Sequence, residues 1–244
     1  MLDSLAINEI YLSVQGESTW AGLPCVFIRL TACNLRCSYC DTAYAFTEGK
    51  DMPLQEILAR VNELAAPFAG LSAGGRLPLV ELTGGEPLLQ KNSLALMKSL
   101  CDGGLTVLLE TSGALDIGPV DPRVRRIMDL KCPSSGESGR NRWENLGLLK
   151  NTDEVKFVIG TSQDYEWAKE IVLTRKLAET CPILFSWVWP LLPRQQDKSL
   201  RAVPPGQVPI TRRELVERIV ADALPVRFQL QMHKFIWPAD QKGV

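Results

Sequence analysis

The chain has 244 residues, 45% hydrophobic and 23% charged, with a formal net charge of −1. Such a chain is long enough for one large core. It carries no global field to gather nucleic acid or anionic lipid, and no run approaches the ~18 apolar residues of a membrane span. Met1-Leu2-Asp3-Ser4 lacks a basic leader, and seven cysteines, an odd number, suit a reducing compartment better than a disulfide framework. The expected location is the cytoplasm, with no direct nucleic-acid or membrane partner.

Leu5 to Val14 alternates and predicts a strand, and Cys25 to Leu30 a second, nearly continuous apolar one. Pro53 can begin a helix in which Leu54, Ile57, Leu58, Val61 and Leu64 fit a 3.6-residue period. Leu77 to Leu82 is a strand, and Leu94 to Leu100 falls in the next helix. Thr106–Glu110, Arg126–Leu130, Glu154–Ile159 and Ile183–Trp187 are further short apolar runs, with a helix over Gln163 to Lys176 between the last two. Trp189 to Pro209, rich in proline and polar residues, reads as an extended surface loop. Thr211 to Ala223 is a helix with Thr211 and Glu214 as a capping box, and Val226 to Gln231 closes as a strand. Strands buried on both faces and alternating with helices imply parallel βαβ units. The expected fold class is therefore α/β, a partial (open) βα barrel of about six parallel strands starting at Cys25, in one domain over residues 1–244. Chemistry in such barrels sits at the C-terminal ends of the strands.

Four unusual motifs fall at those ends. Cys33, Cys37 and Cys40 follow the strand Cys25–Leu30. Three thiolates so close can hold three corners of a cubane iron–sulfur cluster, and the missing fourth ligand leaves one iron open. A structural zinc knuckle needs four ligands, and a redox pair made of Cys37 and Cys40 needs no third cysteine. Thr83-Gly84-Gly85-Glu86-Pro87 follows Leu77–Leu82, Thr111-Ser112-Gly113 the next strand, and Lys131-Cys132-Pro133-Ser134-Ser135 the one after. Alone, the glycine pair followed by Glu86-Pro87 is a turn.

The cysteine spacing, with Tyr39 before the last cysteine, resembles the radical S-adenosylmethionine superfamily. Val14-Gln15-Gly16-Glu17-Ser18, Phe27-Ile28-Arg29-Leu30, Cys40-Asp41-Thr42, Leu82 to Pro87, Asp129 to Gly136 and Gln231-Met232-His233-Lys234 together resemble the 7-carboxy-7-deazaguanine synthase family. The resemblance implies conversion of 6-carboxy-5,6,7,8-tetrahydropterin to 7-carboxy-7-deazaguanine with loss of ammonia, in the biosynthesis of deazapurines such as queuosine. It implies a [4Fe–4S] cluster on Cys33, Cys37 and Cys40, S-adenosylmethionine chelated by the open iron, and Mg²⁺ on Thr42. Val14, Gln15, Gly16, Glu17, Arg29 and Thr83 would hold the pterin, Arg29 pairing with its carboxylate. Tyr39, Cys40, Asp41, Gly85, Glu86, Cys132, Pro133 and Ser134 would line the S-adenosylmethionine site. There the glycines would let the backbone approach the methionine amino group, whose charge Glu86 would offset. An electron donor such as flavodoxin and a homodimer are also implied.

Plainer readings stand beside these. Arg29, in an apolar strand, needs an anionic partner, for which Glu17 or Asp41 would serve. Thr42 can cap the next turn. Cys132 can be plain core, Cys101 and Cys181 are structural, His233 is a hydrogen-bonded structural residue, and Lys131 and Lys156 beside the rim are solvated. A glycyl-radical activase shares the three cysteines but not Gln15-Gly16-Glu17 with Arg29 and Thr42. In some family members a C-terminal proline enters the substrate pocket. Here the last residues are Gly243-Val244, with Gln231, His233 and Trp237 as substitutes.

Overall fold

The computed structural model describes residues 3–72 and 75–244. Its strands are β1 (Ser4–Val14), β2 (Pro24–Leu30), β3 (Lys50–Pro53), β4 (Leu79–Gly84), β5 (Val107–Thr111), β6 (Arg125–Asp129), β7 (Glu154–Ile159), β8 (Ile183–Trp187) and β9 (Arg227–Gln229). They form one sheet in the order β3-β1-β2-β4-β5-β6-β7-β8-β9. From β2 to β9 every neighbour is parallel, while β1 and β3 add antiparallel at the β2 edge. The parallel part is therefore one strand longer than six, because the Val226–Gln231 run pairs with β8 through Arg227–Gln229.

The helices are α1 (Leu54–Ala65), α2 (Asn92–Asp102), α3 (Ser162–Thr174), α4 (Arg212–Ala221) and the short α5 (His233–Ile236). Pro53, whose ring fixes an extended entry, stands at the start of α1, and Leu54, Ile57 and Val61 point into the core. Thr161 with Asp164 and Thr211 with Glu214 form reciprocal capping boxes that begin α3 and α4. Between β5 and β6, and between β6 and β7, the described chain has turns and short 3-10 segments instead of α-helices.

Side-chain alternation along the strands divides the molecule. Val26, Ile28, Val80, Leu82, Val107 and Leu109 face one way and pack with α1 and α2. Val155, Phe157, Ile159, Ile183 and Phe185 do the same with α3 and α4. On the opposite face Cys25, Phe27, Leu79, Leu108 and Ile127 make an apolar floor. One step further along each strand that face turns polar. Arg29, Glu81, Thr83, Glu110, Asp129 and Lys156 line a cleft open to solvent. One face of the sheet is thus apolar along its length, while the other is apolar at its floor and polar where it lines the cleft.

Candidate active site

The cysteine loop forms one wall. Cys33, Cys37, Tyr39, Cys40, Asp41 and Thr42 all line the cleft, and the three thiols are unpaired. Burial pushes all three up, Cys37 to about 12, so each keeps its proton until a metal displaces it. Among the described residues no group of three or more His, Cys, Asp or Glu converges as a single metal ion requires. A cubane, whose irons sit at separate corners, does not ask this of its thiolates. The buried Tyr39 hydroxyl and Asp129 Oδ1 have no protein partner although both residues line the cleft, as a polar ligand would require. The donor set fits a cluster with a polar cofactor beside it.

The glycine pair has a role the sequence reading did not give it. Gly84 has φ +128°, and a Cβ there would lie 2.2 Å from Leu30 O; at Gly85 it would lie 1.9 Å from Ala32 O. The close approach is to the root of the cysteine loop, sealed by Gly85 N–H to Leu30 O (3.1 Å) and Glu86 N–H to Ala32 O (2.9 Å). Glu86 is fully buried outside the cleft lining. Its carboxylate accepts from Leu88 N–H, Thr111 Oγ1, and the N–H and Oγ of Ser112, so it is spent on tying β4 to β5. Cys132, Pro133 and Ser134 are likewise set behind the wall. Ser134 donates through N–H and Oγ to Asp164 at 2.8 and 2.5 Å, and Ser38 bonds the carbonyls of Ser134 and Ser135. The loop is thus tied through Ser38 to Ser134 and Ser135; of the residues expected to line the S-adenosylmethionine site, Tyr39, Cys40, Asp41 and Gly85 face the cleft.

The opposite wall is the loop after β1, where Val14, Gln15, Gly16 and Glu17 all line the cleft. Gln15 Oε1 accepts from Glu17 N–H at 3.0 Å, and its amide donates to Glu81. Lys156 is buried rather than solvated and bridges Glu17 (3.0 Å) and Glu110. Burial would raise Glu17, but Lys156 and then His233 outweigh it and hold the carboxyl at about 2. Burial pushes Glu110 up to about 7 and Glu81 well above the ordinary range. Lys131 is also withdrawn from solvent, 2.7 Å from Asp129.

Arg29 faces the cleft beside Thr83. Its structural partner is neither Glu17 nor Asp41 but Glu9: Nε donates to Glu9 Oε1 at 2.6 Å and Nη2 to the Tyr11 hydroxyl at 3.0 Å. Thr42 occupies the first-cap position of a 3-10 turn, Ala43–Phe46, yet its hydroxyl makes no capping bond. It lines the cleft and hydrogen-bonds Cys40 Sγ at 3.7 Å.

Residues after β9 close the open side. Gln231, His233, Lys234 and Val244 line the cleft, and Trp237 does not. Gln231 donates to Glu17 at 3.0 Å, and Lys234 pairs with Asp41. Burial depresses His233, which packs on the Gly16 backbone. The Trp189–Pro209 loop is more than surface. Trp189 lines the cleft, and Arg201 bonds Arg36 O (2.8 Å) and Glu137 (2.8 Å), bracing the cysteine loop from outside. Glu9, Glu81 and Glu110 escaped the sequence reading, and Asp129 and Lys234 stood in its motifs without a role. A single charged residue inside an apolar strand was the available signal for Glu81 and Glu110.

The profile described as "Radical SAM superfamily" matches residues 27–176. A 7-carboxy-7-deazaguanine synthase of Koribacter versatilis (strain Ellin345) is 44% identical over 98% of this chain and 100% of its own length. One of Chlorobaculum tepidum is 42% identical over 98% and 97%. The crystal structure of QueE from Escherichia coli superposes with a TM-score of 0.68 over 94% of this chain and 95% of that one, at 21% identity, and shares the fold. With three thiols on one wall of the cleft, Gln15-Gly16-Glu17 on the other and identity running the length of the chain, the protein belongs to the radical S-adenosylmethionine superfamily and, within it, to the 7-carboxy-7-deazaguanine synthase family.

Proposed function

We propose that this chain converts 6-carboxy-5,6,7,8-tetrahydropterin to 7-carboxy-7-deazaguanine with release of ammonia, in queuosine biosynthesis, as a carbon–nitrogen lyase acting as one domain over residues 1–244. The observation that carries the reading is that one cleft holds the three free thiols together with Arg29, Gln15, Gly16 and Glu17. The cluster on Cys33, Cys37 and Cys40, with S-adenosylmethionine, supplies the one-electron chemistry when bound.

The residues divide the remaining work. Tyr39, Cys40, Asp41 and Gly85 hold S-adenosylmethionine, with Glu86, Cys132, Pro133 and Ser134 fixing that wall from behind. Val14, Gln15, Gly16, Glu17 and Thr83 orient the pterin, and Arg29, held flat by Glu9 and Tyr11, presents its guanidinium edge to the carboxylate. Thr42 gives Mg²⁺ one neutral oxygen, and substrate and water complete the shell. A low-potential electron donor such as flavodoxin, a homodimer and a cytoplasmic site complete the proposal. For the last, no helix among the described residues is long and apolar enough to cross a membrane.

Anaerobic reconstitution with iron and sulfide, then assay with the carboxypterin and S-adenosylmethionine, is expected to give the deazaguanine and ammonia. Cys33→Ala is expected to lose both the brown chromophore and turnover; a fully active Cys33→Ala protein removes the cluster assignment.

A further inference from the structure

Asp41 lies between Cys40, on the cluster, and Thr42, on the cation. It faces the same cleft. An ionised carboxylate is a far better ligand for a hard divalent cation than a neutral hydroxyl, so an idle Asp41 would be the natural metal ligand here. It is not idle. Lys234, whose side chain is 3% exposed, pairs with Asp41 Oδ2. Gln231 reaches the same oxygen at 3.4 Å while donating to Glu17 at 3.0 Å. The segment that carries both is pinned in turn. Met232 N–H donates to Gly16 O at 2.9 Å, and His233 lies so close that a Cβ on Gly16 would come within 2.4 Å of its Nδ1. A short helix on the far edge of the sheet thus reaches across the cleft to occupy one carboxylate beside the cation position.

We propose that Lys234 is a positioning residue that keeps Asp41 from the cation, leaving Thr42 as the cation's protein ligand and making Mg²⁺ binding depend on the substrate carboxylate. This rests on the reading of Thr42 and the carboxypterin given above. The consequence is an order of assembly: the cation enters with the substrate and does not occupy the empty cleft.

The test uses full-length, cluster-loaded protein without reductant, so that binding is measured and no turnover occurs. Mg²⁺ is titrated by calorimetry with and without the carboxypterin. Wild type is expected to bind Mg²⁺ at least about ten-fold more tightly when the pterin is present. Lys234→Met frees Asp41 and is expected to bind Mg²⁺ at least about ten-fold more tightly than wild type without pterin, with little further gain when it is added. Adding Asp41→Asn to that variant is expected to restore the dependence on pterin, and Lys234→Arg to preserve it throughout. If Lys234→Met does not take up its cluster, Lys234→Gln, which keeps a donor without the charge, decides on the same terms. Wild-type Mg²⁺ affinity in Lys234→Met, or in Lys234→Gln where that variant stands in for it, overturns the inference, as does a double variant that behaves like Lys234→Met. Wild type that turns the pterin over yet binds Mg²⁺ equally well without it refutes this inference and leaves the enzymatic reading standing. Wild type that neither binds nor converts the pterin refutes both.

Discussion

Arg29 shows what one buried charge requires. Its strand neighbours Ile28 and Leu30 are fully buried, and its guanidinium keeps its charge because Glu9, Tyr11 and Tyr44 surround it. Two of its nitrogens are engaged, and the planar group can still offer an edge to a carboxylate; an ammonium cannot serve Glu9, Tyr11 and a substrate together. Arg29→Lys is therefore expected to lower kcat/KM for the carboxypterin by ~2–5 kcal/mol of lost transition-state binding. Steady-state kinetics on cluster-loaded protein measure this, and a wild-type kcat/KM would reduce Arg29 to a tether for Glu9. Glu17 gives a second residue-scale prediction. Its folded value of about 2 lies below the ordinary 4.5. The stability it contributes is therefore whole above pH 4.5 and drains away as the pH falls towards 2. Glu17→Gln is expected to lose ~1–3 kcal/mol near neutrality and to converge on wild type in thermal melts at the acid end. A difference independent of pH would mean that the Lys156 pair contributes nothing through charge.

At the scale of elements, β4 and the cysteine loop are one unit, joined where Gly84 and Gly85 lie under Leu30 and Ala32. A methyl at position 85 would meet a carbonyl oxygen at 1.9 Å, and backbone on both sides cannot step aside cheaply. Gly85→Ala is expected to displace the loop and to lose most of the iron and sulfide taken up on reconstitution, while α3 and α4, packed at the other end of the sheet, keep their helical circular dichroism. Normal cluster content in Gly85→Ala would show that the loop is not braced from β4. Elements held by local signals were legible in the sequence: Pro53 starts α1, and the boxes at Thr161 and Thr211 start α3 and α4. So were the motifs at the strand ends. The partners of those motifs were not. Glu9 is 20 residues from Arg29, Glu110 is 46 from Lys156, and Lys234 is 193 from Asp41. Only the fold brings them together, and nothing near any of them in sequence names the other. The same holds for Gly85, whose need for a bare Cα comes from Ala32 and Cys33 in the cysteine loop.

For the molecule as a whole, the curved sheet leaves a gap between its first and last parallel strands, and side chains close it where strand pairing does not. Gln229, at the end of β9, donates to Ser18 O at 3.0 Å, Gln231 donates to Glu17, and Thr19 donates to Glu154 through N–H and Oγ1. Contacts of this kind open locally at far lower cost than the nine-stranded sheet they bridge. A pterin and S-adenosylmethionine lying in the cleft touch both sides of this seam and oppose its opening. Hydrogen exchange on unreduced, cluster-loaded protein is therefore expected to slow together at residues 15–19 and 231–236 when both ligands are added, with β4, β5 and β7 unchanged. Gln229→Leu removes one bridge and leaves Ser18 O only the longer bond from Ala21 N–H (3.4 Å), so it is expected to speed exchange on both sides in the free protein by about ten-fold, or ~1–2 kcal/mol. Its ligand-induced slowing is expected to be correspondingly larger. If the two segments respond separately, or if β9 exchanges as fast as the seam, then the barrel is not closed by these side chains and the cleft owes its shape to the strands alone.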